Sequence, residues 1–208
     1  MGFLFLDIES FVDPEDNMSG LNPFHEKSKV IVIAYNYYHS SSAPKPEQVK
    51  PPEFIFEWEE GTEKKLLEKF LCVLKEIEKK EFNSGETYLK IVGFNHLAYD
   101  LNYLFARMTH HKIAPQKELF NLLFTHPRHI DLAQIGMAVS KATKRDEDFR
   151  TISQKAINSY FEIPIKEASG KDVSLFYSAK NYEKIKKYCT EEFTFELLYR
   201  SLLETFLH

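Results

Sequence analysis

An α/β fold built on a mixed sheet is predicted by two features of the element order. Three strand-like runs come first in succession, and helical periodicity then alternates with two shorter strand-like runs before a mostly helical C-terminal part. Consecutive strands pair antiparallel, whereas strands separated by a helix tend to pair in parallel, so the sheet is expected to contain both kinds. With 208 residues and no linker-like stretch dividing them, a single domain covering residues 1–208 is expected.

The first run, Phe3-Leu4-Phe5-Leu6-Asp7-Ile8-Glu9, is apolar until two acids alternate at its end. The stretch from Ser10 to Lys29 carries Pro14, Gly20 and Pro23 and reads as a loop. Val30 to Tyr35 reads as a buried second strand. Three consecutive serines and four prolines between Ser40 and Pro52 break regular structure, and Phe54 to Trp58 resumes a strand pattern. From Thr62 to Lys80 the period changes: Leu66, Leu67, Phe70, Leu71, Leu74 and Ile77 recur at helical spacing, with a stop signal at Asn83 to Gly85. Leu89 to Gly93 reads as a central strand, followed by a helix from Ala98 to His110. A short strand, His129 to Leu132, follows Pro127. Helices are expected near Leu132 to Ser140, Ile152 to Phe161, and Tyr182 to Glu192 and on to Leu207.

Composition narrows the function. Hydrophobic residues make up 43% of the chain, with 18 Phe and 11 Tyr, enough to fill a sheet-and-helix core and leave rings for a binding groove. A net charge of −4 argues against a tight, non-specific duplex binder. Basic residues cluster locally, in Lys141, Lys144, Arg145 and Arg150 and in Arg107, His110, His111 and Lys112, and both groups read as solvated faces. Cys72 and Cys189 belong to no Cys-x-x-Cys pair and read as small buried residues, without a zinc ribbon or disulfide scaffold. The N-terminus has no signal-peptide pattern and no apolar run reaches the length of a membrane span, so a soluble, intracellular (cytoplasmic) protein is expected.

Residues two apart on a strand point to one face, so Asp7 and Glu9 can converge on one cation while Leu6 and Ile8 face away. Such oxygen donors suit magnesium or manganese. Two further segments add to the pair. In Gly93-Phe94-Asn95-His96-Leu97-Ala98-Tyr99-Asp100 a strand ends in Gly and Asn before a helix carrying Asp100. In Tyr188-Cys189-Thr190-Glu191-Glu192, Tyr188 and Glu192 lie four apart on one helical face, and Glu191 lies off it.

Asp-x-Glu, then Asn-x-x-x-Tyr-Asp, then Tyr-x-x-x-acid, in that order, resembles the DnaQ-like, or DEDD, family of 3′→5′ exonucleases. Within it, the tyrosine branch that includes family B DNA polymerase proofreading domains is the better match, because Lys187 stands five residues before Glu192, where the other branch has histidine. The resemblance covers nearly the whole chain, including His129-Ile130-Asp131-Leu132 and the stretch from Ile152 to Val173. It implies a ribonuclease-H-like fold, a five-stranded mixed sheet flanked by helices. It also implies two divalent ions, Mg2+ or Mn2+, held by Asp7, Glu9, Asp100 and Glu192, with Asp7 bridging both ions and Tyr188 orienting the attacking water. A free phenol, with a pKa near ~10, is a poor base at neutral pH. Two-metal hydrolysis of single-stranded DNA to nucleoside 5′-monophosphates is the implied reaction, with the ions roughly 3.5–4 Å apart. Glu192 departs from the family pattern, which usually has Asp there.

Phe11, Phe94 and Tyr99 are candidates to stack on terminal bases, with core packing the alternative for Tyr99. Asn95 either contacts the terminal nucleotide or caps the helix. His129 and Asp131 share a strand face, as a second metal pair or as a structural hydrogen-bonded pair. RNA is the alternative substrate, and a nuclease-like nucleic-acid-binding module without turnover the alternative function. The chain works freestanding, as a homo-oligomer, or with a separate replication or repair partner.

Overall fold

The first apolar run becomes the middle of the sheet. In the computed structural model, which describes residues 2–11, 13, 22–40, 42–83, 88–141, 152–165 and 170–207, β1 covers Gly2–Phe11. β2 (Lys29–His39) pairs with it antiparallel, and β3 (Glu53–Phe56) pairs antiparallel with β2. On the other side β4 (Leu89–Gly93) and β5 (Arg128–Asp131) add in parallel, which gives the order β3-β2-β1-β4-β5. The five-stranded mixed sheet flanked by helices predicted from the sequence is therefore the architecture observed.

A central strand covered on both faces must be apolar on both, and Phe3, Leu4, Phe5 and Leu6 are each 1% exposed or less. Leu4, Leu6 and Ile8 face one layer, packing with Leu66, Phe70 and Leu74 of α2 (Glu63–Asn83) and Leu101 and Leu104 of α3 (Asp100–His110). Phe3 and Phe5 face the other, packing with Leu132 of α5 (Leu132–Lys141), Ile157 of α6 (Gln154–Tyr160) and Phe195 and Leu198 of α9 (Phe195–Leu207). A third cluster joins Ile31, Val32 and Phe56 to Val173 of α7 (Gly170–Ser178) and Ile185, Tyr188 and Cys189 of α8 (Tyr182–Glu192). Each such side chain contributes about 1.5–3 kcal/mol by leaving water.

Several elements differ from expectation. The third strand ends at Phe56, and Glu57–Glu60 forms a short helix, α1, ended by Gly61 at φ 84°. Trp58 is drawn there by stacking between Phe56 and Tyr182, at ring separations of 4.6 and 4.4 Å, a tertiary contact that alternation in sequence does not reveal. The second strand is longer than its apolar run, because Tyr37 and Tyr38 find hydroxyl partners in Glu81 and Glu196. The helix after β4 begins at Asp100, two residues late, because residues 95–99 form a turn. A helix at Gln116–Phe120 (α4), its wider continuation over Asn121–Thr125, and α7 are additional to the expected elements, and α8 and α9 are separated at Phe193 and Thr194. Cys72 is exposed, unlike the buried Cys189. Much of the expected loop after Ser10, the stop signal at Ser84 and Gly85, the basic residues Lys144, Arg145 and Arg150, and residues 166–169 of the segment leading to Tyr188 lie outside the described residues.

The Arg107 cluster is only partly the solvated face expected. Arg107 is buried and grips Glu63 with Nε to Oε1 at 2.9 Å and Nη2 to Oε2 at 2.7 Å, while His111 Nε2 stands 2.7 Å from Oε2. The backbone N–H of Val30 donates to Glu63 Oε1 at 2.8 Å, and Arg107 Nη1 donates to the carbonyl of Pro23. One carboxylate thus ties α2, α3 and the start of β2 together. Burial pushes the Glu63 carboxyl up, but hydrogen bonds from Arg107, Val30 and His111 outweigh that and hold it below the usual carboxylate range. This stabilisation is present above the ordinary carboxylate pKa and is lost as pH falls through the folded value. Replacing Glu63 by Ala leaves Arg107 buried without its counter-charge, and a loss of ~3–5 kcal/mol is expected in urea unfolding.

Candidate metal centre

Strand alternation decides where the acids go. Asp7 and Glu9 continue the Phe3 and Phe5 face of β1, at the strand's C-terminal end, where α8 rather than α9 approaches the sheet. The register shifts between Glu9 and Ser10, where β2 carries one extra residue, Ile31, against β1. Bulges re-aim side chains, and this one follows directly on the second acid. On α8, Ile185, Tyr188 and Cys189 form the buried stripe, and Glu192 extends the Tyr188 face by one turn. Carboxylate oxygens of Asp7, Glu9 and Glu192 come within 4.8 Å of one another, close enough for one cation. Glu191, by contrast, pairs with Lys187 at 3.5 Å.

Tyr188 belongs to the same group. Burial, and then the charges of Glu9 and Glu192, push its phenol far above the ordinary range. It therefore stays protonated and serves as a donor. Gly170, at the start of α7, lies beside it: a Cβ there would be 3.8 Å from the Tyr188 oxygen.

Asp100 arrives from the opposite layer. The pairing of β1 with β4 ends at Phe5 and Val92, so the N–H of Ile8 faces no strand partner on that side, and Asp100 Oδ1 accepts it at 3.1 Å. The carboxyl is buried, outside the three-acid group but near enough for Glu192 to act on it. Burial raises it to about 7 against the Ile8 hydrogen bond, and the charges of Glu192 and Asp131 push the same way.

The other predicted residues have mixed surroundings. Tyr99 packs at 5.4 Å on Tyr103, and its hydroxyl lies 2.7 Å from Ser10 Oγ, a link between the bulge and the start of α3. The Phe11 ring packs on Tyr177 at 5.1 Å, with the Lys29 ammonium 4.6 Å from the Tyr177 ring. Phe94 is partly buried against the Phe3 and Phe5 cluster. Asn95 adopts φ 59°, and its carbonyl accepts the N–H groups of Ala98 and Tyr99, so its backbone shapes the turn before α3. His129 and Asp131 do not form a pair: His129 Nδ1 lies 3.3 Å from His96 Nε2, whereas Asp131 accepts backbone N–H groups. Sequence reasoning missed the supporting roles of Ser10 and Asp131. Only Asp131 left a local signal, as an acid just before a helix.

No protein-family model and no curated protein sequence matches the chain. Solved structures do match in fold. The family B DNA polymerase from the hyperthermophilic archaeon Pyrobaculum calidifontis aligns with TM-score 0.59 and 16% identity over 97% of this chain and 24% of that one. A product-bound exonuclease I aligns at 0.57 and 12% over 98% and 43%, and the zinc-bound form of the E. coli exonuclease I complex with single-stranded DNA at 0.55 and 12% over 98% and 40%. The chain thus spans less than half the length of each. It shares with them the α/β, ribonuclease-H-like arrangement of a mixed sheet flanked by helices.

The donor set suits a hard divalent cation, since every candidate ligand is a carboxylate and three converge within bonding reach of one ion. Without metal the raised Asp100 carboxyl has a definite consequence for stability. Its folded pKa of about 7 lies above the ordinary value of 3.8, so between those values the folded chain binds the proton more tightly. Stability therefore falls as pH rises through this window, and the penalty is complete above it. Metal-free protein is expected to melt at a lower temperature at pH 8 than at pH 5. Added Mg2+ or Mn2+ is expected to raise the melting temperature more at pH 8, and Asp100→Asn to flatten the metal-free profile, all readable by differential scanning calorimetry.

Proposed function

We propose that this chain is a metal-dependent 3′→5′ exonuclease, a single exonuclease domain of the tyrosine branch of the DnaQ-like family, acting on single-stranded DNA. The observation that carries this reading is the convergence of Asp7, Glu9 and Glu192 at the C-terminal end of β1, with Tyr188 one helical turn before Glu192 on the same face of α8. Like charges gathered at such distances repel strongly, and bound cations account for the arrangement better than stability does. Its fold is that of an exonuclease I solved with single-stranded DNA, which supports the same class of substrate here.

Asp7, Glu9 and Glu192, together with Asp100, would hold two Mg2+ or Mn2+ ions. When bound, the ions stabilise charge on the attacking and leaving oxygens of the terminal phosphodiester. Asp100 would contribute its carboxyl from α3, with Oδ1 tied to β1 through the Ile8 N–H. Tyr188, kept protonated by its surroundings, orients the attacking water by hydrogen bonding and does not act as the base. Water adds to phosphorus, the bond to the 3′-oxygen breaks with a proton passing to that oxygen, and a nucleoside 5′-monophosphate leaves. Phe11, Phe94, Asn95 and Tyr99 are the proposed contacts to the terminal nucleotides.

A 5′-labelled single-stranded oligonucleotide is expected to shorten in single-nucleotide steps with Mg2+ or Mn2+. Asp7→Ala is expected to lower the rate by roughly 10²–10³-fold or more while the protein stays folded by circular dichroism. Parallel lanes with duplex DNA and RNA identify the substrate; binding of the single strand without any shortening would leave a nucleic-acid-binding module in place of an enzyme. Glu192→Asp, with its shorter side chain, is expected to retain or raise activity. A variant that binds metal normally yet cleaves nothing would remove Glu192 from the site.

A further inference from the structure

Asp131, the last residue of β5, is 4% exposed and has no part in the hydrolysis described above. Its Oδ1 accepts the backbone N–H groups of Asn95 at 2.9 Å and Ala133 at 3.0 Å, and its Oδ2 accepts that of Leu97 at 3.2 Å. The Ala133 bond belongs to the start of α5. The other two cross to the turn between β4 and α3, which ends at Asp100.

That turn has little room to adjust. Asn95 sits at φ 59°, and a Cβ on Gly93 would lie 2.8 Å from the carbonyl oxygen of Leu6 in β1. His96 is fully buried behind the turn, with Nε2 3.3 Å from His129 Nδ1 and Nδ1 3.7 Å from Asp131 Oδ2. Burial holds both imidazoles below their ordinary pKa, so at neutral pH they fill this space as uncharged rings. A carboxylate that takes two N–H groups two residues apart fixes the path of the backbone between them.

We propose that Asp131 is a positioning residue, whose bonds to the Asn95 and Leu97 N–H groups hold the β4–α3 turn so that Asp100 meets β1 beside the Asp7, Glu9 and Glu192 carboxylates. This rests on the assignment of Asp100 as a metal ligand. If Asp131 served only as the cap of α5, a serine in its place would suffice, because a seryl hydroxyl caps a helix but is too short to span to the turn. Asp131→Ser therefore separates the two roles.

In Asp131→Ser, kcat for oligonucleotide shortening is expected to fall about 10–100-fold with KM within about twofold of wild type, and half-maximal activity to move to higher Mn2+ concentration. In the metal-free protein, amide exchange at residues 94–99 is expected to accelerate at least ~10-fold while α5 keeps its protection. Wild-type kcat and Mn2+ dependence, or acceleration spread equally through α5 and β5, would overturn the proposal. Should the serine variant fail to fold, Asp131→Asn is measured in the same way; it keeps Oδ1 for Asn95 and Ala133 but loses the Leu97 bond and the charge, and a smaller effect of the same pattern is expected. If the wild-type protein shortens no oligonucleotide the nuclease assignment fails, and exchange at residues 94–99 still decides whether Asp131 holds the turn.

Discussion

Crowding of carboxylates at the C-terminal end of β1 is the constraint to which the neighbouring structure answers. Asp7 and Glu9 stand on one strand face, Glu192 is brought to them from α8, and Asp100 comes to the same strand from the opposite layer. Such a group does not assemble by hydrophobic burial, which favours the carboxyls apart and in water. Its members have to be carried there by elements whose positions are set elsewhere.

Those elements are anchored at some distance. The two core layers grip β1 through Leu4, Leu6 and Ile8 on one face and Phe3 and Phe5 on the other, so the direction of each side chain along the strand is settled before the acids begin. The Glu63 and Arg107 pair binds α2 to α3 and thereby fixes the helix that carries Asp100. The cluster around Val173, Ile185 and Cys189 seats α7 and α8 against β2, which sets the height of Tyr188 and Glu192. Around the acids the polar links are local: the Ser10 and Tyr99 hydroxyls join the bulge to the start of α3, and Ile8 bonds Asp100. Strong packing outside and a few directional bonds inside are what preorganisation of a charged site requires.

Glu192 illustrates how the scaffold absorbs an unusual residue. A glutamate is one methylene longer than aspartate, yet its carboxylate lies within the three-acid group. The neighbouring Glu191 turns away to Lys187. The separation of the two follows from helix geometry alone, since adjacent residues on a helix point about a quarter-turn or more apart.

Local periodicity in the sequence determined the element types and most of their order, because alternation on a strand and the helical stripe from Leu66 to Ile77 are properties of the backbone itself. It also brought Asp7 with Glu9, and Tyr188 with Glu192, to common faces, since both spacings are short. What only the tertiary structure decided depends on contacts distant in sequence. Trp58 left the strand pattern for a helix because its ring stacks on Tyr182, and Arg107 left the surface because Glu63 needed a counter-charge. Glu192 met Asp7 across the fold, and Asp131 reached back to the turn before α3. Periodicity reports which way a side chain points from its own element; only packing brings two elements together and so decides what that side chain meets.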